Sequence, residues 1–389
     1  MIPVIYNLRS LKVRKASTIA SAFGIALVVF VLASSMMLTN GVKKTLGRAG
    51  SPDQAIVLRR GSDAELSSTM DDPAHTGIVL SAPGVKKGAD GQPMGVRETV
   101  VVVALDKIGA KGFSNVTVRG VSDGVYAMRD GVKVTQGRRF QPGSNEVIVG
   151  SRLIGRFKGL SLGQTFELKR NRPATVVGVF EDGGSSFESE VWGDLDSVRA
   201  SFNRQGVVSS VRVKLEDASR YDAFEQAIEQ DKQLGLEVTR EPEFYEKQSE
   251  NMALFINVMG TVIAVLFALG AMIGATITMH GSVAHRYREV GTLRALGFSK
   301  TAILTSFLLE SVILATVGGV IGLAFAQLMG LVPFSMINMV TWSELVFTFE
   351  PTPELMLRAF IWGGVMGLIG GFFPAFRASR ISPIEAMRS

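Results

Sequence analysis

Apolar residues gather in four long runs, one near the start of the chain and three in its last third, with a long polar stretch between the first and second. The hydrocarbon core of a bilayer, about 30 Å thick, is crossed by about 20 residues of helix. Ala16 to Leu38 meets that length without a charged residue, and so does Leu254 to Met279. Ile303 to Val332 does so with a single acid, Glu310, and Ala359 to Phe376 is a shorter, charge-free candidate. The pattern predicts a membrane protein, α-helical with four transmembrane helices, and a large extracytoplasmic domain inserted between helices one and two. The expected boundaries are an amphipathic cytoplasmic N-terminus at 1–17 and spans at 18–38, 254–279, 301–329 and 355–376. Between and after them lie a stalk and external domain at 39–253, a cytoplasmic segment at 280–300, an outer loop at 330–354 and a cytoplasmic tail at 377–389. The first run exceeds the apolar stretch of about 7–15 residues typical of a cleaved signal, so an uncleaved anchor is expected despite the small residues Ala33 and Ser35.

Within the external domain the pattern changes to short β-branched runs punctuated by Gly, Pro and Asn. Ala55–Leu58, Thr99–Ala104, Val116–Gly120, Glu146–Val149, Thr165–Leu168, Thr175–Phe180, Val211–Leu215 and Leu236–Thr239 read as strands, and Tyr221–Gln230 as an amphipathic helix. These predict an α+β domain, with a β-subdomain at about 115–190 built into flanking α+β segments. The first helix continues past the bilayer through Val42 and Leu46, and a second polar helix carrying Phe244 and Gln248 precedes span two. Together these would make a stalk. Gly183–Ser189 reads as an exposed loop, either a plain turn or a contact point for a partner.

Lys and Arg near span ends set orientation. Arg9, Lys12, Arg14 and Lys15 precede span one; Arg286, Arg288, Arg294 and Lys300 lie between spans two and three; Arg377, Arg380 and Arg388 follow span four. The segment Gly330–Glu354 carries acids but no Lys or Arg. Both termini are therefore expected in the cytoplasm and the large domain outside. The net charge of +6 lies largely in these clusters. It points to anionic lipid headgroups rather than to nucleic acid. With no Cys, the domain must be held by its core rather than by disulfides.

Catalytic signatures are missing. The three His (His75, His280 and His285) have no metal-ligand spacing. The stretch Gly297-Phe298-Ser299-Lys300-Thr301 lacks the upstream glycine of a phosphate-binding loop. Neither catalytic residue, cofactor nor metal is expected on this chain, and if the protein is energy-driven its motor is another polypeptide.

Between spans two and three, Val283, Tyr287, Val290, Leu293 and Leu296 recur every three or four residues, one apolar stripe of a helix. Such a helix could simply lie on the bilayer or could seat a partner. The run Tyr287-Arg288-Glu289-Val290-Gly291-Thr292-Leu293-Arg294-Ala295-Leu296-Gly297 resembles the "REIGLLRALG" stretch of the FtsX-like, or MacB-type, ABC transporter permeases. The tail from Pro374 to Ala386 resembles that family's closing "PAxRASRLSPIEAL". Glu310 and Gly318, Gly319 and Gly322 fall where the family has an acid and glycines, and Gly137–Phe140 and Val147–Gly150 look like its periplasmic core.

The resemblance implies a permease subunit in a bacterial inner membrane, paired with a second permease copy or paralogue and served by separate ABC ATPase subunits that bind ATP and Mg, as in the lipoprotein-releasing permeases. It implies that Arg288 to Gly297 couples to the ATPase, with Val290, Leu293 and Leu296 in its groove and Arg288, Glu289 and Arg294 at the rim. Gly291, Ala295 and Gly297 belong to the same motif. Glu310 would hold helices together, sense closure of the coupling helix, or be a structural acid. The glycines of span four would serve close helix packing or a substrate path. The implied action is mechanotransmission that extrudes or releases a lipoprotein, peptide, drug or glycolipid. A periplasmic adaptor and an outer-membrane channel would serve such export. The alternative is an FtsX-like regulator that activates an external cell-wall hydrolase without transport, and a third reading is a sensor without any ATPase.

Overall fold

The computed structural model describes Leu11, Val13 and residues 15–380, apart from the side chains of residues 17, 275, 278–280, 282, 283 and 285. The tail from residue 381 and most of the amphipathic N-terminus expected at 1–17 lie outside the described residues.

Helix α1 (Lys15–Gly47) leads into β1 (Gln54–Arg59), β2 (Met70–Asp71), α2 (Ala74–Ser81), a long hairpin of β3 (Gly95–Asp106) and β4 (Phe113–Val121), then α3 (Val125–Met128), β5 (Lys133–Gly137) and β6 (Glu146–Gly150). A second hairpin, β7 (Thr165–Lys169) with β8 (Arg172–Glu181), precedes β9 (Glu190–Asp194), α4 (Leu195–Ser201), β10 (Val207–Val208), β11 (Ser210–Lys214), α5 (Tyr221–Glu229) and β12 (Leu236–Arg240). The rest is helical: α6 (Glu241–His285), α7 (Tyr287–Ala295) and α8 (Lys300–Met329), then a hairpin of β13 (Pro333–Asn338) and β14 (Ser343–Thr348), and finally α9 (Pro353–Ser379). Helices α1, α6, α8 and α9 each contain a stretch long and apolar enough to cross a membrane.

The chain divides into two compact units. One takes in the chain up to Asn40, Leu254–Val332 and the chain from Thr348; the other takes in Gly41–Ala253 and Pro333–Phe347. The segment expected as a plain outer loop is therefore structured. Its apolar run Leu345-Val346-Phe347 is buried, and the β13–β14 hairpin belongs to the second unit.

In that unit, ten strands form one sheet in the order β12-β1-β11-β3-β4-β9-β6-β8-β5, with β7 paired to β8. Pairing is antiparallel except for β4–β9 and β6–β8. The period of two along a strand separates the two faces. Val101, Val103, Val116, Val118 and Val191 enter one apolar core with Phe157 and Phe166. Val57, Val211 and Val213 enter another with Phe224 and Ile228 of α5. The intervening residues of β11, β3, β4 and β9 face the other way. They include Arg212, Glu98, Arg119 and Glu190.

In the first unit, α1 is the central helix. Ile25, Val29, Ala33 and Met37 of α1 pack with Ala315 and Ala326 of α8 and Ala359 of α9. Contact is close enough to exclude side chains: a Cβ on Gly318 would lie 2.5 Å from the Ala22 carbonyl oxygen, and one on Gly322 would run into the Ala26 carbonyl. Ser35 of α1 donates to the Ile256 carbonyl of α6 at 3.3 Å, and Thr39 to Asn257 at 2.9 Å. Small residues that let backbones approach are the usual means of joining helices in lipid, where no hydrophobic drive separates helix from solvent. Gly318→Ala and Gly322→Ala should each destabilise the detergent-solubilised protein by about 1–3 kcal/mol. Gly364→Ala, whose Cβ would meet nothing within 4 Å, should be neutral. Thermal unfolding followed by tryptophan fluorescence distinguishes the three.

Candidate functional site

The motif between spans two and three folds differently from the single helix its periodicity predicts. Helix α6 runs to His285, Arg286 leaves the helical region (φ −106°, ψ 13°), and α7 starts at Tyr287. Val290 is 2% exposed, packed with Ile303 and Phe307 of α8 and Ala375 and Ala378 of α9, and Leu293 is half-buried against the same cluster. Gly291 is buried too. This corrects the expectation that Val290 and Leu293 enter a partner's groove. An apolar stripe cannot fill two places, and here it is taken up within the chain. Arg288, Glu289, Thr292, Ala295, Leu296 and Gly297 are the exposed residues, with Leu296 at 72%. Arg294 is half-buried and donates to the Phe298 carbonyl at 3.2 Å. Gly297, at φ 93°, ends α7 in the left-handed conformation that glycine takes without steric cost. Ser299 then caps α8 by accepting from the Ala302 amide.

Glu310 is 2% exposed, facing the helix bundle as an acid at that depth must. Arg286 Nη1 lies 3.5 Å from its Oε2, and Arg286 Nε lies 3.1 Å from Glu289.

In the extracytoplasmic unit, the expected stalk residues Val42, Leu46, Phe244 and Gln248 are all buried. Leu46 and Gln248 line a cavity of about 40 Å³ together with Glu65, Arg119, Glu190 and Tyr245. This cavity opens onto a charged cluster that sequence reasoning missed. Arg119 reaches Glu65 at 2.6 Å, Glu98 at 2.7 Å and Glu190 at 2.7 Å. Arg212 reaches Glu65 at 2.7 Å, Glu98 at 2.8 Å and Glu241 at 2.6 Å. Arg129 joins Glu241 at 2.6 Å and donates to the Ala49 carbonyl at 3.1 Å. Glu241 also accepts from the Ser51 amide at 3.0 Å. A Cβ on Gly50 would lie 2.8 Å from Pro242 Cα, so only glycine lets the chain leaving α1 pass the start of α6. Glu241 thus ties the end of α1, the start of α6 and the sheet to one carboxylate. The available sequence signal was charge alternating with β-branched residues in Ser210-Val211-Arg212-Val213 and Thr117-Val118-Arg119-Gly120.

The turn Gly183–Ser189, expected to be exposed, is largely buried: Phe187 is fully enclosed and Glu188 is 6% exposed. The Phe187 ring lies 4.0 Å from the Arg129 guanidinium and 5.3 Å from that of Arg119. Those cations draw an aromatic face inward. Glu188 holds the turn, accepting from the Asp182 and Gly184 amides at 2.9 Å and 2.7 Å and from Arg152 at 3.0 Å.

Four carboxyls (Glu65, Glu98, Glu190, Glu241) meet three guanidiniums (Arg119, Arg129, Arg212) in the cluster. Burial opposes ionisation of Glu65, but the charges of Arg119 and Arg212 overcome it and hold its pKa well below the usual carboxylate range. For Glu98 burial wins over the same two cations, and its pKa is raised. Its Oε1 accepts no hydrogen bond among the described residues. At the β13–β14 hairpin, burial of Glu344 is outweighed by Lys107, Ser114 and Arg156, which hold its pKa at about 2. Lys107 and Arg156 each lie 2.7 Å from its carboxylate.

The chain matches the MacB-like periplasmic core domain over residues 18–231 and the FtsX-like permease C-terminal domain over residues 261–383. It belongs to the MacB/FtsX-type ABC transporter permeases. The permease is 25% identical over 393 residues to the uncharacterized ABC transporter permease YknZ of Bacillus subtilis, covering 94% of this chain and 92% of that protein. It is 28% identical over 227 residues to the macrolide export ATP-binding/permease protein MacB of Photorhabdus laumondii, covering 56% of this chain and 34% of MacB. To the probable export ATP-binding/permease protein Pfl01_2215 of Pseudomonas fluorescens it is 29% identical over 295 residues, covering 69% of this chain and 42% of that protein. The permease thus spans nearly all of YknZ but less than half of these two ATP-binding relatives. Among solved structures, the extracellular domain of YknZ is similar at 19% identity and TM-score 0.36, over 48% of this chain and 99% of that one. The periplasmic region of MacB from Actinobacillus actinomycetemcomitans is similar at 14% identity and TM-score 0.38, over 53% and 96%. Its matching domains and its four long apolar helices make the permease a membrane protein with an extracytoplasmic domain, and its family implies an ATPase partner.

Two outcomes are expected of the extracytoplasmic cluster and hairpin. Glu241→Gln leaves Arg129 and Arg212 short of a buried counter-charge and should cost about 3–5 kcal/mol of stability. The exposed Glu243→Gln should stay within about 0.5 kcal/mol of the parent. Denaturant titration of the full chain in detergent measures both. Glu344 is depressed from its ordinary 4.5 to about 2, so between those values the unfolded chain binds more protons than the folded one. Its contribution is complete above pH 4.5 and is lost as pH falls towards 2. The melting temperature of Glu344→Gln should therefore fall less than the parent's between pH 5 and pH 3.

Proposed function

We propose that this permease is a mechanical transmitter. ATP hydrolysis by separate ATPase subunits seated on the exposed face of α7 would move α1 and α6, and the extracytoplasmic domain would carry that movement to a cargo already outside the inner membrane. The observation that carries this reading is the length and anchoring of two helices. Helix α1 has 33 residues and α6 has 45, about 50 Å and 68 Å at 1.5 Å per residue. Both exceed the bilayer core, and α6 begins at the carboxylate that also holds the chain leaving α1. A stiff helix fastened by buried ion pairs passes on displacement that a loosely tethered one would absorb.

In this reading both termini and α7 are cytoplasmic, consistent with the Lys and Arg clusters at the span ends. The permease works as a pair with a second copy or a paralogue. The export role named for the MacB relatives favours expulsion of a drug, peptide, glycolipid or lipoprotein. An adaptor and an outer-membrane channel are the partners that export across two membranes would call for. On α7, Leu296 enters the ATPase groove in place of the buried Val290 and Leu293, and Arg288 and Glu289 flank it, where charge tunes register and on-rate more than affinity.

The test uses the absence of native cysteine. Leu46→Cys with Gln248→Cys, two positions lining one cavity, allows the stalk to be locked by a disulfide. Locking should lower permease-stimulated ATP hydrolysis about ten-fold, reversibly with reductant, a rise of about 1.4 kcal/mol in the barrier. Leu296→Asp should abolish retention of the ATPase without loss of folded protein. Full stimulation by the locked pair would refute the transmitter, and co-purification of a cell-wall hydrolase with no cargo would transfer the same motion to a regulatory role.

A further inference from the structure

We propose that Arg286 is a positioning residue for coupling, pinning α7 to the third span through Glu310. The proposal rests on the reading of α7 as the ATPase seat. Arg286 is the single non-helical residue between α6 and α7, so α7 can pivot about its backbone. The apolar contacts of Val290 and Leu293 hold α7 against α8 and α9, but such contacts are non-directional and tolerate rotation and sliding. A planar guanidinium supplies direction, because its donors point along fixed lines.

Three observations place that guanidinium. Glu310 lies ten residues into α8, about 15 Å along its axis, and is 2% exposed. A buried carboxylate in a span calls for a polar or cationic partner beside it. Arg286 Nη1 stands 3.5 Å from it, and the Arg286 side chain is itself only 10% exposed. The Phe307 ring, 5.3 Å from the guanidinium carbon, borders the same site. On its other side, Arg286 Nε holds Glu289 at 3.1 Å, and the Glu289 side chain is 58% exposed on the face of α7 left open to a partner. One side chain therefore joins the partner-facing surface to the interior of the third span. A push on α7 reaches α8 through this pin rather than dissipating as rotation of a short helix.

The experiment uses the full chain with the ABC ATPase that co-purifies with it. Ala295→Cys on α7 and Thr316→Cys on α8, both exposed, carry spin labels in a chain with no other cysteine. The parent should give one narrow inter-label distance, and Arg286→Gln and Glu310→Gln should broaden it. In Arg286→Gln the ATPase should still co-purify with unchanged KM for ATP while the stimulated rate falls about ten-fold. Purely structural damage would instead lose the ATPase. Should the glutamine variant not accumulate, Arg286→Lys keeps the charge but not the fork and should broaden the distance to a lesser degree. An unchanged distance in Arg286→Gln, or in Arg286→Lys if that alone is obtained, overturns the pin while leaving the ATPase seat intact. A parent chain that neither retains nor stimulates any ABC ATPase overturns the seat itself, and the positioning role with it, whatever the distance shows.

Discussion

Ions taken out of water must find counter-ions, and that requirement organises the extracytoplasmic unit. Arg212, Glu98, Arg119 and Glu190 share one face of four neighbouring strands because side chains alternate along β11, β3, β4 and β9. Having no water to face, they draw in Glu65 from the segment after β1, the ring of Phe187 from a buried turn, and Glu241 from the first turn of α6. The place where α6 starts follows from this. So does the need for glycine at position 50, since the chain leaving α1 must reach the same carboxylate. A cluster of this kind is weak as a source of stability, because well-packed apolar residues commonly do as well. What it adds is direction: each guanidinium accepts only particular placements of its carboxylates.

The membrane unit meets the opposite constraint. Lipid offers no hydrophobic reason for helices to associate, so α1 is gripped by backbone proximity at Gly318 and Gly322 and by a few polar contacts such as Ser35 to Ile256. Charge is used sparingly there, and Arg286 with Glu310 joins the short helix α7 to a long one. Both units thus use guanidinium–carboxylate contacts at the end of α6. Arg129 and Arg212 hold its first residue, and Arg286 follows directly on its last.

Much of the fold was legible in the chain because it depends on local periodicity. The eight expected strands fall within β1, β3, β4, β6, β7, β8, β11 and β12 apart from end residues, and Tyr221–Gln230 within one residue of α5. The motif at Tyr287–Gly297 was legible as a family feature. Three particulars were not. The stripe through Val290 showed that one face of α7 is buried but not by what, since a helix in the same chain and a helix in a partner ask for the same residues. Gly183–Ser189 carries the glycines and serines of an exposed turn, yet Phe187 is held inside by guanidiniums from Arg119 and Arg129, far away in the chain. Pro333–Thr348 looked like an outer loop because it lacks Lys and Arg, while its strands depend on partners such as Ser189 and Thr117.

The sequence by itself determined four apolar spans, a β-rich domain between the first two and membership of a permease family, because hydropathy, strand period and motif are all readable over a few neighbouring residues. Only the tertiary structure decided which charges meet. Arg119 and Glu65 are 54 positions apart and Arg129 and Glu241 are 112 apart. Coulombic pairing acts through space, and a linear chain carries no mark of which distant ion will stand within 3 Å.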